Sequence, residues 1–142
     1  MEREQKVFVD ANVFIALLNK DDALHERAVS VWMQLKEKES RVATANGVVS
    51  EVITVLSQRA SKALALQFAD TIYSRSRDIE LIYADEEIET AALGHLRSWP
   101  AKNVSFVDAI IVAIMKQREI AYLASFDRVF RAVPGISVLP EE

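Results

Sequence analysis

The apolar run Val7, Phe8 and Val9 is continuous and β-favouring, the pattern of a strand buried on both faces as in a parallel sheet. It stops at one carboxylate, Asp10. From Val13 to Leu18 the spacing turns helical. A longer helix through ALHERAVSVWMQLKEKES carries Leu24, Ala28, Val31, Trp32 and Leu35 at three- and four-residue steps, and Asp21 or Asp22 is placed to cap it. In that helix Glu26, Arg27, Lys36 and Lys38 fall mostly on the wet face. RVATA predicts a second strand, NGVVSEVITVLSQRA and SKALALQFADTIYSRS two more helices, and IELIYA a third strand. DEEIETAALGHLRSW opens with acids that suit a helix amino terminus and is followed by Pro100. NVSFVDAIIVAIMKQRE is apolar nearly all round, so it predicts a central helix, ahead of strand four in AYLAS and a short strand five in ISVLP.

Strands alternating with helices imply right-handed crossovers. The expected fold is α/β: a three-layer α/β/α sandwich around a mainly parallel sheet of four to five strands. The chain has 142 residues, 51% of them apolar, with only three Gly and three Pro and no low-complexity linker, so residues 1–142 read as a single domain. The segment MEREQKVFVD lacks the pattern of a secretory signal, and AIIVAIM falls well short of the roughly 18 residues of a membrane helix. A cytoplasmic protein is expected. There is no cysteine, which removes disulfides and thiolate metal sites, and a net charge of −4 argues against coating nucleic acid by bulk electrostatics.

In a parallel α/β sheet, ligands bind outside the carboxyl edge of the strands. Asp10 ends strand one. Glu51 lies early in the helix after strand two and shares a face with Val48 and Val55. Asp108 falls in the first turn of the central helix, three residues after its expected cap Ser105, and Asp127 follows strand four. The pattern brings all four acids to one edge. Each also has a structural reading: Asp10 and Asp127 as caps, Ser105 with Asp108 as a capping box, Glu51 as a helix amino-terminal acid. Together they are harder to explain structurally, because no Lys or Arg lies beside Asp10, Glu51 or Asp108 in the sequence. Clustered like charges raise one another's pKa or call for a cation. Oxygen-only ligation suits Mg²⁺ or Mn²⁺, and such ions can activate water for phosphodiester cleavage.

Other chemistries lack support. His25 and His95 stand on different helices and form no ligand pair; His25 is expected to pack or cap locally. Trp32 and Trp99 read as packing residues rather than base-stacking platforms. Gly-rich phosphate loops and the G-x-S-x-G motif are missing. Arg59, Lys62, Arg75, Arg77, Lys102, Arg128 and Arg131 are candidates for phosphate contact, with Arg128 favoured because it neighbours Asp127.

Over essentially its whole length the chain resembles PIN-domain proteins, and in size and layout the VapC-type toxin ribonucleases of bacteria and archaea. VDANVFIALL and VDAIIVAIM carry most of the resemblance, with VVSEVITVL and YLASFDRVF in support. It implies a Mg²⁺- or Mn²⁺-dependent endoribonuclease, the toxin of a toxin–antitoxin pair, with Asp10, Glu51, Asp108 and Asp127 as catalytic and metal-binding acids. Asn12, Ser105 and Ser125 match polar positions beside them. Many relatives have a further acid soon after the fourth; here Val129 and Phe130 stand there, which weakens direct metal contact by Asp127. The resemblance further implies an RNA substrate, a small antitoxin partner and a homodimer. The alternatives are a catalytically inactive PIN-like or receiver-like protein-binding module, and a haloacid-dehalogenase-type phosphatase. The last is disfavoured because Asn12 stands where it needs a second Asp.

Overall fold

The computed structural model describes residues 5–74 and 78–141. Arg75 and Arg77 lie outside the described residues. The elements are β1 (Lys6–Val9), α1 (Ala11–Leu18), α2 (His25–Glu37), β2 (Arg41–Ala45), α3 (Asn46–Arg59), α4 (Lys62–Tyr73), β3 (Ile79–Ile82), α5 (Glu86–Ser98), α6 (Phe106–Arg118), β4 (Tyr122–Ala124) and β5 (Ser137–Leu139). A 3-10 turn, Arg128–Ala132, lies between the last two strands.

The five strands run in the order β3-β2-β1-β4-β5, and every pairing is parallel. Right-handed crossovers then decide the layers. Chain progress from β1 to β2 to β3 goes one way and puts α1 to α4 on one face. The return from β3 to β4 reverses direction and puts α5 and α6 on the other. The packing agrees: α1 meets α2 and α3, α3 meets α4, and α5 packs on α6. The reversal falls between β1 and β4, which is where a crevice opens at the carboxyl edge of such a sheet.

Burial follows the sequence pattern. Val7, Phe8 and Val9 are buried between the helical layers, and α6 buries Ala109 and the whole run Ile111 to Met115. Phe14 holds the α1 layer together through tilted contacts with Phe68 at 5.2 Å and Trp32 at 6.1 Å between ring centroids. No described helix is long and apolar enough to cross a membrane.

One local expectation is corrected. Neither Asp21 nor Asp22 caps α2: its N-cap is Leu24, without a side-chain bond, while Asp22 Oδ1 accepts from Leu24 N at 2.8 Å and shapes the turn before the helix. An Asp two residues before an N–H closes an Asx turn more readily than it waits for a distant helix end. α6 begins at Phe106 with Ser105 as its N-cap, as the sequence predicts.

Candidate active site at the carboxyl edge of the sheet

Asp10 is the first residue after β1 and is only 6% exposed. Its position follows from register. β1 pairs Val9 with Ala124 on β4 and Phe8 with Ala43 on β2, so Asp10 stands between Ser125 on one side and Ala45 on the other. Its backbone N–H bonds to Ala124 O at 3.0 Å. Its side chain caps α1: Oδ1 accepts from Ala11 N at 2.8 Å. Oδ2 accepts from Ser125 Oγ at 2.7 Å and, weakly, from Asn12 Nδ2 at 3.5 Å.

Asn12 and Ser125 therefore make a frame around the carboxylate. Asn12 Nδ2 also reaches Ser125 Oγ at 3.3 Å, and Asn12 Oδ1 accepts from Phe126 N at 3.1 Å. Ser125 Oγ in turn accepts from Asp127 N at 3.1 Å. The chain after β4 is thus tied to the start of α1 by polar groups that all converge on Asp10.

Asp108 sits half-buried in the first turn of α6. The capping box is complete: Asp108 N donates to Ser105 Oγ at 3.1 Å, and Asp108 Oδ2 accepts from Ser105 N at 3.0 Å. Asp127 caps the 3-10 turn, with Oδ1 accepting from Val129 N at 3.1 Å. The capping readings are correct for Asp10, Asp108 and Asp127, and they do not compete with chemistry, since each carboxylate keeps an oxygen or lone pair free of the cap.

Glu51 is exposed, contrary to the expectation that it shares the inward face of Val48. At roughly 100° per residue, Val48, Val52, Leu56 and Val49 span an arc of about 100°, and Glu51 lies about 60° beyond its edge. It sits on the flank of α3, from which its long side chain can lean over the sheet edge.

Electrostatics link the acids. Burial pushes the Asp10 carboxyl up to about 6, Asp108 and Glu51 push it the same way, and the bonds from Ser125 and Ala11 oppose the rise. Asp108 is also raised, by burial and then by the charge of Asp127. Glu80 shows the contrary case at the far edge of the sheet: Lys6 Nζ at 2.7 Å and Arg118 Nη1 at 3.5 Å hold its carboxyl below the ordinary range. Both charged groups that weigh on Asp10 are acids.

Among the described residues, no three acids already sit close enough together to grip one ion. The donor set nevertheless suits a hard divalent cation: carboxylate oxygens only, one of them buried at a raised pKa, with like charges beside it. The Glu51 side chain is exposed and has no hydrogen-bond partner among the described residues.

The basic candidates divide. Arg59 ends α3 and Lys62 begins α4, a helix length of roughly 20 Å from the acidic edge. Lys102 and Arg128 are on exposed segments at that edge, and Arg131 Nη2 donates to Pro140 O at 2.9 Å. Sequence patterning assigned Arg27 merely to a wet helix face. The structure puts its guanidinium 5.4 Å from the centroid of Phe126, the residue between Ser125 and Asp127. No spacing rule could have found it, because the contact joins α2 to the chain after β4. His25 packs locally, with Nδ1 2.7 Å from Ala16 O, and Trp99 stacks edge-on against Phe130 at 5.7 Å.

Comparison with known proteins shows the family and the fold. A family model described as the PIN domain matches residues 7–136. The 23S rRNA-specific endonuclease VapC20 of Mycobacterium tuberculosis is 33% identical over 135 residues, covering 95% of this chain and 99% of that protein. The crystal structure of VapC20, described as a sarcin–ricin loop cleaving toxin, superposes with a TM-score of 0.78 at 28% identity, over 89% of this chain and 93% of that one. VapBC2 from Rickettsia felis, bound to a DNA fragment from its promoter, shares the fold with a TM-score of 0.67 at 16% identity, over 94% and 97% of the two chains.

Proposed function

The chain belongs to the PIN-domain family, and from that membership and its acidic edge we propose that it is a divalent-metal-dependent endoribonuclease, the toxin of a toxin–antitoxin pair. The observation that carries this reading is Asp10, a buried carboxylate at the end of the central strand whose charged neighbours are Asp108 and Glu51. A structural acid in that position would be expected to have a basic partner.

Asp10 and Asp108 would hold the ion, Mg²⁺ or Mn²⁺, with Glu51 as the third arm. When bound, that ion supplies an activated water and stabilises charge on the phosphate being hydrolysed. Ser125 and Asn12 fix the Asp10 rotamer, and Ser105 fixes Asp108, so the two principal arms are pre-organised. Asp127 spends Oδ1 on Val129 N and has Oδ2 left to orient water rather than to bind the ion directly. RNA phosphates would approach from the β4 side, where Arg27 is steadied on Phe126 and Arg128 stands at the rim.

A loop in large-subunit ribosomal RNA, the substrate for which the similar VapC20 is named, is the first RNA to try. A small antitoxin and a second copy of the chain are the proposed protein partners, and the cytosol the proposed compartment. The test is cleavage of a sarcin–ricin hairpin RNA by the purified chain. Cutting should require Mg²⁺ or Mn²⁺, stop with EDTA, and vanish in Asp10→Asn and in Asp108→Asn. Cutting that survives both substitutions refutes the assignment. A chain that cuts nothing but co-purifies with a protein partner would instead be a binding module.

A further inference from the structure

Next to the acids, on the side away from Arg27, the edge of the sheet holds a cavity of about 130 Å³. Ala45 at the top of β2, Asn46 and Gly47 at the start of α3, Ala84 after β3, Glu89 on α5 and Val107 on α6 are among its lining residues. Three of its lining residues adjoin acids of the site in strand register or in sequence. Ala45 lies beside Asp10 in the extended β1–β2 register. Gly47 lies one helical turn before Glu51, and Val107 immediately precedes Asp108.

Its chemistry is selective. Ala45, Ala84, Val107 and Ile110 give apolar walls. Asn46 Oδ1 is committed to Ala84 N at 3.1 Å, so its amide orientation is set and its Nδ2 hydrogens have no partner among the described residues. Glu89 offers a carboxylate acceptor. Asp85, Glu86 and Glu87 crowd the same helix end as Glu89, so a phosphate is repelled from this side. Cations, by contrast, gather at the β4 end of the edge. The site therefore has polarity: a backbone-binding end and an end that accepts an uncharged, flat, partly polar group.

We propose that this cavity is a nucleobase subsite which receives, next to the scissile phosphate, a base carrying an exocyclic amino group. Asn46 Nδ2 donates to an acceptor on the base edge, and Glu89 accepts from the amino group, the pairing rules by which amide and carboxylate side chains read base edges. Gly47 keeps the cavity open: a Cβ there would meet Val107 Cγ2 at 3.9 Å, so a longer side chain enters the cavity without a backbone clash. The inference rests on the ribonuclease reading, and its test separates the two.

The full chain is given hairpin RNAs that differ at single loop bases, competing in one reaction with Mn²⁺. Ratios between substrates are read, so a general loss of rate cancels. Wild type should favour adenine, cytosine or guanine over uracil at one position flanking the cut by about tenfold, the scale of one good base-edge contact. Gly47→Leu, Glu89→Gln and Asn46→Asp, which keeps the acceptor for Ala84 N, should each pull that ratio towards one. An unchanged base profile in the three variants overturns the subsite and leaves the nuclease standing. Glu89→Gln is at an exposed position, so its result does not depend on refolding of a core. A second measurement needs no cleavage: Asp10→Asn is titrated with adenosine, cytidine, guanosine and uridine and followed by amide NMR. Shifts at Gly47 and Val107 with the amino-bearing nucleosides, absent in the Gly47→Leu double variant, support the subsite even if no RNA is cut. No shift with any nucleoside, together with no base preference, sinks it.

Discussion

Ser125 donates its hydroxyl to Asp10 Oδ2 across 2.7 Å, linking residues 115 positions apart in the chain. Parallel pairing of β1 with β4 makes them neighbours at the carboxyl edge, and the bond holds the carboxylate of a helix-capping aspartate in place. Ser125 is itself buried, and its oxygen also accepts from Asp127 N.

Removing that hydroxyl should therefore loosen two acids at once. Ser125→Ala should weaken Mn²⁺ binding by about 10–100-fold, the usual effect of deleting a group that orients a metal ligand. Isothermal titration against wild type at pH 7 reads it directly, and an unchanged affinity would show that Asp10 needs no help to hold its rotamer.

Asp10 should make the metal-free protein less stable as pH rises. Its folded pKa, about 6, lies above the ordinary 3.8, so between those values the folded state binds more protons than the unfolded one. Its contribution is fully present below pH 4 and lost as pH passes 6, and at most about 3 kcal/mol is at stake. In EDTA, urea denaturation should show Asp10→Asn gaining on wild type between pH 4.5 and 7. A constant gap across that range contradicts the sign.

Arg27 should matter for substrate capture and not for chemistry. Arg27→Ala should raise KM for RNA several-fold with little change in kcat, and should lower the salt dependence of binding by about one unit of slope, as for loss of one phosphate contact. Phe126→Leu, which removes the ring beneath the guanidinium, should reproduce part of the effect. A change confined to kcat would move Arg27 out of the substrate path.

Ser105→Ala should cost about 1 kcal/mol of stability, the typical worth of an N-cap. It should also lower Mn²⁺ affinity, because Ser105 Oγ accepts from Asp108 N and so holds the first helical turn that carries this carboxylate, even though the Ser105 N–H bond to Asp108 Oδ2 remains. Ser105→Thr keeps the hydroxyl and should restore both. Loss of stability without loss of affinity would make the box purely structural.

The Val7–Val9 run, the three- and four-residue steps of the helices, and the stop at Asp10 were enough to place the strands, the parallel sandwich and the edge where the acids gather. Those signals are local: a two-sided strand must be greasy throughout, and a helix face repeats within a turn. The family resemblance likewise lay in contiguous stretches, VDANVFIALL and VDAIIVAIM. Glu51 was misjudged because periodicity gives the centre of a buried stripe better than its flank.

What the sequence by itself determined is the set of elements and the acids at their ends. Only tertiary structure decided which of those ends are neighbours. The 3-2-1-4-5 strand order sets Ser125 beside Asp10, brings Phe126 under Arg27, and closes the Asn46 cavity between α3 and α6. Each of these contacts joins residues tens of positions apart, and the physical reason they escape sequence reading is that crossover hand and strand register, rather than any local preference, determine their distance.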